Sequence, residues 1–173
     1  ETAKGAFTGD QIAGRFEIGR LFEAGAVGIT PFANLQPSQL WQSGYTESST
    51  AMTGGPGAFP LTFQASSTTS LPLSLGAQFD ARGAIDTRPF AAFLRLAWVH
   101  EFLPNRNVTA GFVNLPGSLF TVDGARAASD AARIDLGAKY AVGPQTSLFA
   151  NAGAEVSNRG ESFSGTVGLR FIW

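Results

Sequence analysis

Hydrophobic and polar positions alternate most cleanly at the carboxyl end of the chain, over Glu161–Trp173. Phe163, Gly165, Val167, Leu169, Phe171 and Trp173 occupy one set of alternate positions; Ser162, Ser164, Thr166, Gly168, Arg170 and Ile172 occupy the other. A period of two with one apolar and one mostly polar or small face predicts a β-strand. The same pattern recurs upstream. Residues 11–22 set Ile12, Phe16, Ile18 and Phe22 against Arg15 and Glu17, and residues 26–47 set Val27, Ile29, Ala33 and Leu35 against Thr30, Asn34 and Gln36. Strands follow at 63–80, 89–103, 108–122 (interrupted by Pro116–Gly117), 131–142 and 146–157. Pro31 and Pro37 predict local irregularity, because proline cannot donate to a ladder. Residues 1–10 read as a frayed start and residues 48–62 as the strongest loop signal.

About eight strands result, joined by short turns near 24, 104, 143 and 159 and by longer loops near 55, 84 and 125. Alternating short and long connections, with apolar residues on one face of every strand, are the pattern of an outer-membrane barrel. The expected fold is therefore all-β, an antiparallel up-and-down transmembrane β-barrel forming a single domain over residues 1–173. A soluble β-sandwich is the alternative, since its strands alternate too. Aromatic residues near strand ends (Phe22, Trp41, Phe79, Phe102 and Trp173) suit interfacial girdles.

Composition sharpens this reading. Hydrophobic residues make up 44% of the 173 and charged residues only 14%, against about 25% charge in an average globular protein. A surface bathed in water would carry more charge; one bathed in lipid would not. The net charge of −1 gives no basic footprint for nucleic acid, and the absence of cysteine excludes disulfides, thiolate catalysis and Cys-based zinc sites. No apolar run approaches the ~18 residues of a membrane-spanning helix. The amino terminus shows no basic-then-apolar signal segment, which reads as a mature chain or a piece of a longer one.

Candidate chemistry is sparse. His100 is the single histidine, and its neighbour Glu101 points to the opposite face of a strand, so the two cannot pair. His100 reads as an interfacial or structural histidine rather than a catalytic one. Arg15, Glu17, Arg95, Glu101, Arg133, Asp135, Lys139, Glu155 and Arg170 all fall on the less apolar faces and are expected to line the inside. They would form either a polar channel or a network of ion pairs filling a narrow lumen. The TGGPG stretch at 53–57 has no phosphate-loop lysine and opens no helix. The aspartates Asp123 and Asp130 lack calcium-loop spacing. No catalytic, cofactor or metal site is expected.

The sequence resembles the translocator barrel of autotransporters, the type V secretion proteins. The resemblance rests on GITPFANLQPSQL (28–40), STTSLPLSLGAQF (67–79), LRLAWVHEF (94–102) and the closing GLRFIW, and it runs over essentially the whole chain. Trp173 departs from the Phe that usually ends the family, and about eight strands replace about twelve, matching the carboxyl-terminal part of such a domain. The resemblance implies a bacterial outer-membrane protein that anchors and exports an N-terminal passenger and performs no covalent chemistry. Its implied partners are outer-membrane lipid, the barrel-assembly machinery and the passenger. Phe163, Val167, Leu169, Phe171 and Trp173 resemble the terminal signal that this machinery reads. The competing functions are a small outer-membrane barrel enzyme and a soluble β-sandwich binding module.

Overall fold

The computed structural model describes all residues, Glu1–Trp173, and contains strands and no helix. The chain divides into two compact units, one of Arg15–Gln36, Pro72–Phe102 and Ala128–Trp173, the other of Glu1–Gly14, Pro37–Leu71 and Leu103–Ala127.

The first unit is one antiparallel sheet. Its strands are β1 (Phe16–Gly19), β2 (Phe22–Ala24), β3 (Val27–Leu35), β4 (Pro72–Ile85), β5 (Arg88–Glu101), β6 (Asp130–Ala141), β7 (Thr146–Ser157) and β8 (Gly160–Phe171). The hydrogen-bonded path runs β8-β7-β6-β5-β4-β3 and ends at β1 and β2, which both pair β3. Strands β4 and β5 have 14 residues each and β6, β7 and β8 have 12. A spanning strand tilted near 45° needs roughly 9–11 residues, so all five are long enough to cross a bilayer.

Pro31 explains why one edge position holds two short strands. Arg20 N–H donates to the Pro31 carbonyl at 3.2 Å, but Pro31 has no N–H to return the bond. The ladder breaks there without slipping, because Gly19 faces Phe32 and Phe22 faces Ile29 in the same register. Pro37 likewise lies just beyond the end of β3, as expected of it.

Three expectations about the large sheet and its connections are corrected. The connection near 84 is not a long loop: Ile85 faces Arg88, and Asp86 and Thr87 turn the chain with φ of 50° and 68°. Positive φ at both central residues matches the right-handed twist of the flanking strands. Pro104–Asn107 is not a tight turn, because Asn107 opens a strand, Asn107–Phe112, that pairs Phe120–Asp123 as a separate hairpin. Residues 108–122 are thus no stave of the large sheet, whose eight strands include the two short ones, β1 and β2, on its one edge. The short turns after β2, β4 and β6 lie at one end of the sheet; the long connections 36–71 and 102–129 leave from the other, where Asn158–Arg159 also makes a short turn between β7 and β8.

The second unit holds shorter ladders. Gly9–Ala13, Ser38–Gln42 and Ser66–Ser70 form a three-stranded sheet, and Thr2–Lys4 pairs Ser48–Thr50, so residues 1–10 are not frayed. Part of the expected loop 48–62 is likewise strand, with Leu61–Phe63 between Tyr45–Thr46 and Asn107–Phe112. Threonine pairs such as Thr46–Thr62 (3.1 Å) and Thr109–Thr121 (3.0 Å) bridge these strands, a cross-strand contact suited to a hydrated surface. Rings of Phe7, Tyr45 and Phe63 stack at 5.3 and 4.6 Å.

Candidate functional site

Register converts the alternation of single strands into two faces. Arg95 lies opposite Asp135 on one side and Gln78 on the other; Arg133 lies opposite Glu155 and Ala97; Lys139 lies opposite Ala91 and Phe149. Paired residues project to the same side and neighbours to opposite sides. Arg15, Glu17, Arg95, Glu101, Arg133, Asp135, Lys139, Glu155 and Arg170 therefore share one face. The other face carries Ile29, Leu75, Leu94, Leu96, Ile134, Leu136, Leu148 and Val167, all substantially exposed. A soluble sheet buries its apolar face; this one presents it outward.

Toward the long connections the charged face is interlocked. Both terminal nitrogens of Arg95 reach the two oxygens of Glu17, at 3.1 and 2.8 Å. The Arg15 guanidinium donates to the same carboxylate at 2.6 Å, and so does the Asn34 amide at 3.1 Å. Asn34 is only 1% exposed, and its oxygen accepts from Gln36 at 2.6 Å, which leaves both ends of the buried amide satisfied. The Arg95 guanidinium also lies 3.5 Å from the centre of the Phe32 ring, a cation–π contact. Phe32 in turn rests on Gly76, where an added Cβ would strike the Leu96 carbonyl and come within 2.9 Å of the Phe32 ring. Arg133 holds Glu155 through two nitrogens. Arg95, Arg133 and Asp135 line a cavity of about 530 Å³ with Asn34, Gln78 and Asn151. Glu101, at the end of β5, is buried.

Toward the short turns the same face is built differently. A second cavity of about 630 Å³ is lined by Arg82, Lys139, Arg170 and Asp80, with the rings of Phe93 and Phe149. Phe93 lies over Gly137 and Phe149 over Gly168, positions where a Cβ would meet the ring. No ion pair forms among these side chains, and both Asp80 oxygens accept from the Gln78 amide at 3.0 Å.

The apolar face has one polar cluster, at the long-connection end of β5. Asp130 accepts from the Trp98 indole N–H at 3.0 Å and contacts His100 Nδ1 at 2.9 Å. His100 also packs edge-on against Phe102, with centroids 4.7 Å apart. The sequence reading separated His100 from Glu101 but had no means of finding Asp130, thirty positions away and directly across the ladder. Of the terminal residues, Phe163, Val167, Leu169 and Phe171 lie on the apolar face of β8, at 63–75% exposure, and Trp173 lies two residues beyond that strand.

An all-antiparallel sheet with an exposed apolar face and a charged opposite face defines the chain as an outer-membrane barrel protein. It matches the model of the family "Autotransporter beta-domain" over residues 1–153, and it belongs to that family. No individual curated protein matches it significantly. Domains of this family are outer-membrane translocators of Gram-negative bacteria that go with a passenger, and they are generally not enzymes.

Proposed function

We propose that the chain anchors an N-terminal passenger in the outer membrane and supplies the route by which it reaches the cell surface. The observation that carries this reading is the inverted amphipathicity of the large sheet. Lipid covers Leu94, Leu96, Ile134, Leu136 and their neighbours, and the nine charged residues named above line a hydrated interior. Residues 1–173 act together as one translocator domain. In hydrocarbon no strand edge can stay unpaired, because each free N–H and C=O costs several kcal/mol; the sheet is therefore closed when it is in the bilayer. The barrel-assembly machinery reads β8 through Phe163, Val167, Leu169, Phe171 and the nearby Trp173. The chain does no covalent chemistry, and the His100–Asp130 pair is an interfacial anchor for Trp98.

The test is to refold the chain with and without detergent and compare its unheated and boiled mobility on a denaturing gel. A detergent-dependent, heat-modifiable species is expected. A monodisperse β-rich protein in plain buffer would overturn the proposal in favour of a soluble sandwich. Export is tested on the full passenger-bearing protein by protease shaving of intact cells. The passenger should be cleaved there, and shielding it until the cells are lysed would argue against surface delivery.

A further inference from the structure

The three-stranded sheet of the second unit carries Trp41 on its central strand, Ser38–Gln42. Trp41 pairs Asp10 on one side and Ser67 on the other. Paired residues project to the same side, so the three side chains stand abreast, with Cβ atoms about 5 Å apart. The Trp41 ring is 49% exposed and takes part in none of the ring–ring or cation–π contacts of the chain. Thr8 and Ser43 stand one row further along, where the Thr8 N–H donates to the Ser43 hydroxyl at 3.0 Å and the two hydroxyls lie 3.3 Å apart. Thr8, Asp10, Trp41, Ser43 and Ser67 are among the residues lining an open cavity of about 450 Å³, a size typical of small-molecule sites.

The donors and acceptors around the ring decide what fits. Asp10 is acceptor-only, the indole N–H is donor-only, and the hydroxyls of Ser67, Thr8 and Ser43 can do either. No Lys, Arg or His lines the cavity, so nothing there offsets the repulsion between Asp10 and a phosphate-bearing ligand. Quaternary and methylated amines are held by cages of several rings, and this cavity has one. A lipid chain is poorly served as well. The row beyond Trp41 is Ile12, Gln39 and Thr69, in which the Thr69 hydroxyl donates to Gln39, and Ile12 is the one large apolar neighbour. The ligand that matches one apolar ring face bordered by a carboxylate and hydroxyls is a neutral pyranose. Its C–H face stacks on the indole, and adjacent hydroxyls on its rim donate to the two oxygens of Asp10.

We propose that Trp41, Asp10 and Ser67 form a saccharide-binding site that takes one neutral pyranose unit. Trp41 supplies the stacking surface, and Asp10 fixes the orientation of the sugar through charge-assisted hydrogen bonds. Ser67, across the ladder from Asp10, meets a hydroxyl on the opposite edge of the ring. The sugar belongs either to the saccharide of the membrane's own lipopolysaccharide or to a soluble glycan. Both present the same chemistry to the site. The site goes beyond the translocation reading and does not depend on it.

The test uses the full chain in micelles of a sugar-free detergent and saturation-transfer NMR observed on the ligand, so that variants lacking Trp41 can still be read. The probes are cellohexaose, maltohexaose and the core oligosaccharide released from lipopolysaccharide. The wild type should saturate the ring C–H protons of at least one of them. Binding of the core oligosaccharide alone would assign the site to the membrane's own saccharide, and binding of a linear glucan would assign it to a soluble glycan. Trp41→Ala should weaken binding at least about tenfold, as loss of ring stacking and its buried area implies. Asp10→Asn should weaken it several-fold, and Asp123→Asn, which removes a carboxylate from a different ladder, should bind like the wild type. If Trp41→Ala loses its heat-modifiable band, Trp41→Phe and Asp10→Asn decide, and unchanged binding by both would overturn the proposal. So would binding of none of the three probes by the wild type, equal binding by the wild type and a folded Trp41→Ala, or displacement of the sugar by equimolar choline. In bilayers, quenching by brominated acyl chains that falls when Trp41 is replaced by Phe would place the ring in lipid and would also sink the site.

Discussion

The two halves of the charged face are made by the same strands and differ in how their charges are held. Toward the long connections, Arg15, Glu17, Asn34 and Arg95 form one bonded cluster seated on Phe32 and Gly76. Toward the short turns, Arg82, Lys139 and Arg170 stand around Phe93 and Phe149 with no ion pair. Desolvation accounts for the contrast. A buried amide such as Asn34 requires partners on both its ends, and once it is in place the charges beside it must also be matched. Cations around an open cavity keep their water and can stay unpaired. The first half therefore stabilises the sheet, whereas the second leaves its charges unmatched.

The sharpest way to break this contrast is at the glycines. Gly76→Ala drives a methyl group into the Leu96 carbonyl oxygen and against Phe32. Backbone must move, so a loss of about 3 kcal/mol is expected in urea unfolding from detergent followed by tryptophan fluorescence. Gly137→Ala meets only the Phe93 ring and the Asn151 side chain, which can swing aside, and about 1 kcal/mol is expected. Equal losses at the two sites would remove the distinction between a locked and a loose half. Glu17→Gln comes next. It withdraws the charge that two arginines share and leaves Arg95 over Phe32 without its counter-charge, and about 2 kcal/mol should be lost in the same assay. A loss below about 0.5 kcal/mol would place Glu17 among ordinary surface residues.

How much of this was legible in the sequence depends on the distance over which each feature is encoded. The two faces needed only a period of two, so Arg95 beside Leu96 or Arg133 beside Ile134 already assigned sides. The short hairpin at Asp86–Thr87 was missed because its central residues are not the Asn-Gly or Asp-Gly pair that normally supplies positive φ, and a β-branched Thr rarely takes that conformation. Pro104–Asn107 misled in the other direction, having turn composition but leading into a separate hairpin. The Glu17–Arg95 contact spans 78 positions and the His100–Asp130 contact 30. Each follows from register across intervening strands, which alternation alone cannot fix. The unmatched state of Lys139 and Arg170 was invisible for the same reason, since nine charged residues could be assigned to one face without knowing which would meet, and Arg82 fell in the expected connection near 84 and was not among the nine.

Smaller effects sharpen the contrast further. Arg133 and Glu155 belong to the matched half, but their side chains are 39% and 35% exposed, so water competes for both. A double-mutant cycle of Arg133→Ala and Glu155→Ala should give a coupling of only about 0.5 kcal/mol. A coupling above about 2 kcal/mol would mean that this pair, rather than the Glu17 cluster, locks the face.

The smallest expected change is the most informative about the unmatched half. Lys139→Gln removes one of three like charges and no ion pair, and it keeps the length and polarity of the side chain. Relief of repulsion and loss of the ammonium's hydration oppose each other, so the unfolding free energy should stay within about 0.5 kcal/mol of the wild type, on the stabilising side. That sign matters more than the size. A cation that helped to hold the sheet together would destabilise it when removed, as Glu17 does in the other half. One that only repels its neighbours costs stability, and its removal should show as a small gain at low salt that vanishes when added salt screens the repulsion. A salt-independent loss would instead make Lys139 a structural residue and erase the difference between the halves.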